Sequence, residues 1–173
     1  MKGVFKFLIA AAVFAGVAVS DSTSFKVHVI GDSTVCNYKD SAYPQTGWGQ
    51  ILGSFFDGSR VQVVNYAIGG RSSKTFVQEG RLDEVKKNLQ KGDIMMVQFG
   101  HNDRYFGSKA REVPFDSLGY WLQQYADVAK GAGVTLVYVT PMNMNMGANG
   151  RNIFTEYNVV GKMEELAKKN GAV

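Results

Sequence analysis

The stretch that most restricts the fold is Phe25-Lys26-Val27-His28-Val29-Ile30, a β-branched run that stops at Gly31-Asp32-Ser33-Thr34. A continuous apolar run of this length, closed by a glycine and small polar residues, predicts a strand buried on both faces in a parallel sheet. Such a strand delivers Ser33 just past its carboxyl end. In open α/β sheets that edge binds ligands, because the loops leaving the strands converge there and the following helices turn their N-termini toward it.

Three further runs have the same character: Val61 to Tyr66, Ile94 to Phe99 and Val134 to Val139. Between them lie helical patterns. Gly47 to Phe56 spaces Trp48, Ile51, Leu52 and Phe55 along one face, and one stretch carries Leu82, Val85 and Leu89. A longer helix capped at Asp116 carries Leu118, Trp121, Leu122, Tyr125 and Val128 and is stopped by Gly131 and Gly133; a last one spans roughly Thr155 to Lys169, with Asn170-Gly171 as its end signal. Met142 to Asn149 reads as a long loop, and Tyr43-Pro44-Gln45-Thr46 as active-site rim or plain surface. Strands alternating with helices predict a flavodoxin-like three-layer α/β/α domain with a mostly parallel sheet. The sequence stops at Ala172-Val173, where a fifth strand is due, so the expectation is a domain without its C-terminal strand and helix, leaving the fourth strand open at the sheet edge.

Residues 1–20 differ in kind from the rest. Lys2 and Lys6 precede an apolar run from Phe7 to Val19, and Ala18-Val19-Ser20 supplies the small residues a signal peptidase needs, so this segment reads as a secretory signal and residues 21–173 as the mature domain. That predicts a secreted, extracellular or periplasmic protein with no membrane attachment after cleavage. The formal net charge of +4 falls by two with that segment, a balance too small and too scattered to imply nucleic acid. Cys36 is the single cysteine, which rules out an intramolecular disulfide and reads as a small packed side chain. No Cys or His cluster has metal spacing, and no cofactor is expected.

Three strand ends face the same edge: Ser33 after the first, Gly69-Gly70 after the second and Gly100-His101-Asn102-Asp103 after the third. Acyl transfer needs a nucleophilic oxygen and donors aimed at the oxygen that turns negative in the tetrahedral intermediate. Ser33 can supply the first; the Gly70 N–H and the Asn102 carboxamide can supply the second. Each such donor is worth a factor of roughly 100 to 1000 in rate.

Gly31-Asp32-Ser33-Thr34, Asn65-Tyr66-Ala67-Ile68-Gly69-Gly70-Arg71-Ser72 and Gly100-His101-Asn102-Asp103 resemble the first three blocks of the SGNH (GDSL-type) hydrolases. With Gly47-Trp48-Gly49 between them, they are most similar to the rhamnogalacturonan acetylesterase branch. The resemblance implies Ser33 as nucleophile and an oxyanion hole from the Ser33 backbone, Gly70 and Asn102. It also implies removal of acetyl groups from pectic or other plant cell-wall polysaccharide, without a metal. The family's late Asp-x-x-His block, which holds its base, has no counterpart here. Of the two histidines, His28 reads as a hydrogen-bonded core residue and His101 as a residue holding its loop. Without a base the donors alone leave a factor of roughly 1000 to 10,000 over water, so the chain reads as the N-terminal portion of a longer esterase, inactive or weakly active as it stands.

Asp32 and Asp103 flank the site and are expected to hold loops through backbone hydrogen bonds. Arg71 either grips an acidic sugar such as galacturonate or pins the glycine loop. Tyr38, Tyr43, Tyr105 and Phe106 sit on the active edge where aromatics can stack on sugars, while Trp48 fits a buried helix face; Lys86, Lys87, Lys168 and Lys169 lie on solvated faces. Three rivals remain. One is a non-catalytic carbohydrate-binding domain on the same fold, and another a lipase-like or lysophospholipase-like esterase. The third, a binder of a phosphorylated cofactor, is opposed by the Asp32 carboxylate in the first loop.

Overall fold

The computed structural model describes residues 24–104, 108–142 and 157–173. The segment read as a secretory signal, the aromatics Tyr105 and Phe106, most of the Met142–Asn149 stretch, and Thr155 lie outside the described residues. Four strands, β1 (Phe25–Gly31), β2 (Val61–Asn65), β3 (Ile94–Gln98) and β4 (Thr135–Tyr138), form one sheet in the order β2-β1-β3-β4. Every pairing is parallel, with β1 central: Val27 lies opposite Val63 on one side and Ile94 on the other. This is the flavodoxin-like α/β order expected of alternating strands and right-handed crossovers, and it gathers the carboxyl ends of β1, β2 and β3 at one edge.

The strands alternate strictly between two cores, as a period of two requires. Val27 and Val29 of β1, Ile94 of β3 and Val137 of β4 point to one face, where Val35, Cys36 and Ala67 complete a small cluster. Ile30, Met95, Val97, Leu136 and Tyr138 point to the other. That second face carries four helices: α2 (Ser73–Gln78), α3 (Arg81–Asn88), α4 (Phe115–Ala132) and α5 (Val159–Asn170). The first face is covered more thinly, by α1 (Trp48–Ile51) and the 3-10 turn Leu52–Phe55. At its centre the thicker layer stacks Phe76, Phe99 and Tyr125 with ring centroids 5.5–6.4 Å apart, and the Tyr125 hydroxyl donates to the Ser73 carbonyl at 2.8 Å.

Several boundaries differ from the periodicity reading. The helix expected over Gly47–Phe56 changes from α to 3-10 winding after Ile51, and the tighter turn rotates the later side chains off the expected face. Trp48 and Leu52 pack on the sheet, whereas Ile51 and Phe55 are exposed, Phe55 by 74%. The stretch around Leu82 is two helices, because Gly80 takes a left-handed conformation (φ 72°) between α2 and α3. Helix α4 starts one residue before Asp116, which lies in its first turn and caps nothing. Helix α5 begins at Val159 because the Asn158 side chain accepts the Gly161 N–H at 2.8 Å and so caps it there. The open edge expected at β4 is met in part: Val173 donates to the Leu136 carbonyl at 3.0 Å and accepts from the Tyr138 N–H at 2.8 Å, in the place of a next parallel strand.

Candidate active site

Ser33 is held out on a turn whose shape depends on glycines at close-packed points. A Cβ on Gly31 would lie 2.6 Å from Val35 Cγ2 and 2.8 Å from the Gln98 carbonyl oxygen, so only glycine lets β1 end against β3 here. Beyond it the Asp32 carbonyl accepts the Val35 and Cys36 N–H groups at 3.1 and 3.0 Å. Asp32 Oδ1 accepts both the backbone N–H and the hydroxyl of Thr34 at 2.9 Å each, closing the turn around Ser33. The Tyr38 hydroxyl donates to the Ser33 carbonyl at 2.8 Å. The Ser33 side chain is partly exposed.

Gly47-Trp48-Gly49 buttresses this turn, a role that spacing alone did not reveal. The Trp48 N–H donates to the Thr34 carbonyl at 3.0 Å, and a Cβ on Gly47 would fall 2.2 Å from the Cys36 carbonyl oxygen. The Trp48 indole N–H donates to Gln98 Oε1 at 2.9 Å, and Gln98 Nε2 donates to the Thr34 hydroxyl at 2.6 Å. Trp48, Gln98, Thr34 and Asp32 thus form one continuous chain of donors and acceptors beneath Ser33. Asn65, at the end of β2, is a second residue sequence reasoning passed over: its Nδ2 donates to the Val35 carbonyl at 2.9 Å and its Oδ1 accepts the Ala67 N–H at 3.0 Å.

The loop after β2 runs on beside β1, since the Ile68 N–H donates to the Gly31 carbonyl at 3.0 Å. This brings the paired glycines to Ser33: a Cβ on Gly69 would sit 3.6 Å from the Ser33 Cβ, and Gly70 follows at φ 78°, a conformation that favours glycine. Arg71 Nε bonds Glu79 at 3.1 Å and Nη1 donates to the Gly69 carbonyl at 2.9 Å, so two of its nitrogens pin the glycine loop. Asn102 reaches the same loop from the end of β3, its Nδ2 donating to the Arg71 carbonyl at 3.0 Å.

The two acidic neighbours act as fasteners. Asp103 is fully buried and accepts the Ser73 N–H at 3.1 Å, the Ser73 hydroxyl, and the Gly100 N–H at 3.0 Å, tying the third loop to the start of α2. Burial pushes its carboxyl up to about 6, against those three donors and with help from the negative Asp32. His101 stands between two acceptors, the Asp32 carboxylate 3.4 Å from Nδ1 and the Met142 carbonyl 2.8 Å from Nε2. Burial alone would lower its pKa, but these two acceptors raise it above the ordinary histidine value, so the ring clips the first loop to the segment that follows the fourth strand. His28 is remote from this edge: it is buried, bonded through Nε2 to Asp93 at 2.9 Å, and stacked on Tyr66 with centroids 5.8 Å apart. Cys36 is buried. Among the described residues no group of three His, Cys, Asp or Glu side chains could hold a metal.

Ser33 thus lies against the Gly69–Gly70 turn, and the Asn102 carboxamide joins the same loop through the Arg71 carbonyl, the three coming from three strand ends. Residues 27–169 match the family described as GDSL-like lipase/acylhydrolase. The chain is similar to the "Probable rhamnogalacturonan acetylesterase YesY" of Bacillus subtilis (strain 168), with 40% identity over 83% of this chain and 66% of that protein. It is also similar to rhamnogalacturonan acetylesterase RhgT of the same organism, with 36% identity over 83% of this chain and 61% of that protein. The crystal structure of protein YxiM from Bacillus subtilis superposes with a TM-score of 0.71 at 27% identity, covering 87% of this chain and 42% of that one. The chain thus spans less than two thirds of the length of these relatives.

Proposed function

We propose that this chain, which belongs to the family of GDSL-like lipases and acylhydrolases, is a secreted serine esterase that removes acetyl groups from plant cell-wall polysaccharide of the rhamnogalacturonan or pectin type. The observation that supports this is the contact path from Ser33 through Gly69 and Arg71 to Asn102, which ties the serine turn, the glycine loop and the Asn102 carboxamide together. The names of the relatives supply the acetyl group and the glycan.

In this reading Ser33 Oγ attacks the acetyl carbonyl carbon, and the oxygen turning negative is held by the Ser33 and Gly70 N–H groups and by Asn102 Nδ2. Collapse of the tetrahedral intermediate expels the sugar oxygen, which leaves with a proton, and forms acetyl-Ser33. Water then repeats the attack and releases acetate. The serine proton needs an acceptor. His28 is committed to Asp93, and both nitrogens of His101 face other acceptors, so the base comes from outside the described residues. The separation from a base also favours a second reading, a glycan-binding domain that does not turn over.

Acetate release from acetylated rhamnogalacturonan and from an aryl acetate separates the two. It is measured for this chain and for any longer product of its reading frame, each with and without Ser33→Ala. Turnover that Ser33→Ala lowers by about 10,000-fold supports the esterase. Glycan binding without turnover supports the binding domain, and turnover indifferent to Ser33→Ala removes Ser33 as nucleophile.

A further inference from the structure

A basic side chain stands behind both proposed oxyanion donors. Arg111, on the segment between β3 and α4, directs Nη1 to Asn102 Oδ1 at 3.0 Å. The same nitrogen lies 3.6 Å from the point a Cβ on Gly70 would occupy, so it rests against that residue as well. Nothing in the three sequence blocks points to this residue, because it follows the last of them by several positions.

The chemistry of the contacts fixes the direction of the Asn102 amide. A guanidinium has hydrogens to give and no lone pair to accept with, so the atom facing Arg111 is the carbonyl oxygen. The Arg71 carbonyl can only accept, so the atom facing it at 3.0 Å is the amide nitrogen. Each contact alone excludes the flipped amide, and the two agree. With one Nδ2 hydrogen on Arg71, the second is the one left to donate. A positive charge on Oδ1 also draws electron density from the amide nitrogen and makes that remaining hydrogen a stronger donor.

The geometry points to Arg111 as a positioning residue of the oxyanion hole: with the Arg71 carbonyl it holds the amide end of Asn102 toward the reacting oxygen, and it strengthens the donor found there. It acts through Asn102 and does not touch the ester. The catalytic side of this assignment rests on the esterase reading above, while the orientation of the amide does not.

The test has two arms. In this chain labelled with 15N, the Asn102 side-chain amide is observed by NMR in the wild type, Arg111→Met and Arg111→Lys. The assignment predicts that Arg111→Met moves the amide resonances toward those of free asparagine and speeds their hydrogen exchange, and that Arg111→Lys restores part of both. Resonances and exchange unchanged in Arg111→Met overturn it. In the second arm, kcat and KM for aryl acetate are measured for Arg111→Met, Asn102→Ala and the double variant. Arg111→Met should lower kcat about 10-fold or more with KM little changed, and the double variant should be no slower than Asn102→Ala alone. Losses that multiply in the double variant overturn the assignment. Activity unaffected by Ser33→Ala overturns the esterase reading instead, and the amide resonances then still decide the role of Arg111.

Discussion

The Asp103 carboxyl makes the fastening of the third loop measurable through its pH dependence. Its pKa is pushed from 3.8 up to about 6 by full burial. Between those two values the folded protein holds a proton that the unfolded chain has released, so stability falls as pH rises through this window and levels off above it. A rise of this size corresponds to about 3 kcal/mol, present in full below pH 4 and lost by pH 6. Asp103→Asn has no proton to hold. Its amide nitrogen must also face one of the donors that the carboxylate accepted from Ser73 or Gly100, which costs about 1 to 3 kcal/mol. The variant is therefore less stable than wild type by the largest margin near pH 4, and the margin narrows by about 3 kcal/mol on going to pH 7. Urea unfolding followed by Trp48 and Trp121 fluorescence at pH 4, 5, 6 and 7 gives both curves. Taking the difference removes the contributions of His101, which shifts in the same sense, and of Asp93, which shifts oppositely. A margin that is constant with pH, or that widens as pH rises, refutes the reasoning.

Other substitutions test the remaining supports. Gly47→Ala should cost about 3 kcal/mol or more in thermal or urea unfolding, because its Cβ would meet the Cys36 carbonyl at 2.2 Å and backbone cannot step aside as a side chain would; Gly58→Ala, with open space around it, serves as the comparison and should change little. Asp93→Ala leaves the Lys26 and Gln90 N–H groups and buried His28 without their acceptor and should cost about 3 to 5 kcal/mol by the same assay. Gln98→Leu breaks the link from Trp48 to Thr34 and should lower stability by about 1 to 3 kcal/mol, with a change in Trp48 fluorescence that Leu118→Ala does not produce.

The sheet and the edge that carries the site were legible because they follow from two simple regularities. Continuous apolar runs ending in Gly-polar pairs mark parallel strands, and a right-handed crossover leaves their carboxyl ends together. Ser33, Gly70 and Asn102 could be named because each lies in the loop that leaves such a run. The supports could not be named so readily. Asn65, Gln98 and Arg111 act across 9 to 64 positions of sequence, and no local pattern signals a hydrogen bond of that kind. Arg71 had two readings of equal standing in sequence, and its contacts with Glu79 and the Gly69 carbonyl give it the pinning role at two of its nitrogens. Ile51 and Phe55 were misplaced for a different reason, since periodicity presumes one winding and the segment changes from α to 3-10 midway.

The claim on which everything else depends is that the Ser33 oxygen is the reacting atom. A fluorophosphonate ester, which serine hydrolases attack and retain, puts that to the test when the exposed protein is digested and its peptides are sequenced by mass spectrometry. The account predicts a single added phosphonyl group within the peptide Val27–Lys39, fragmenting to Ser33, formed more slowly in Asn102→Ala and absent in Ser33→Ala. Label on another side chain, or label that persists in Ser33→Ala, contradicts it.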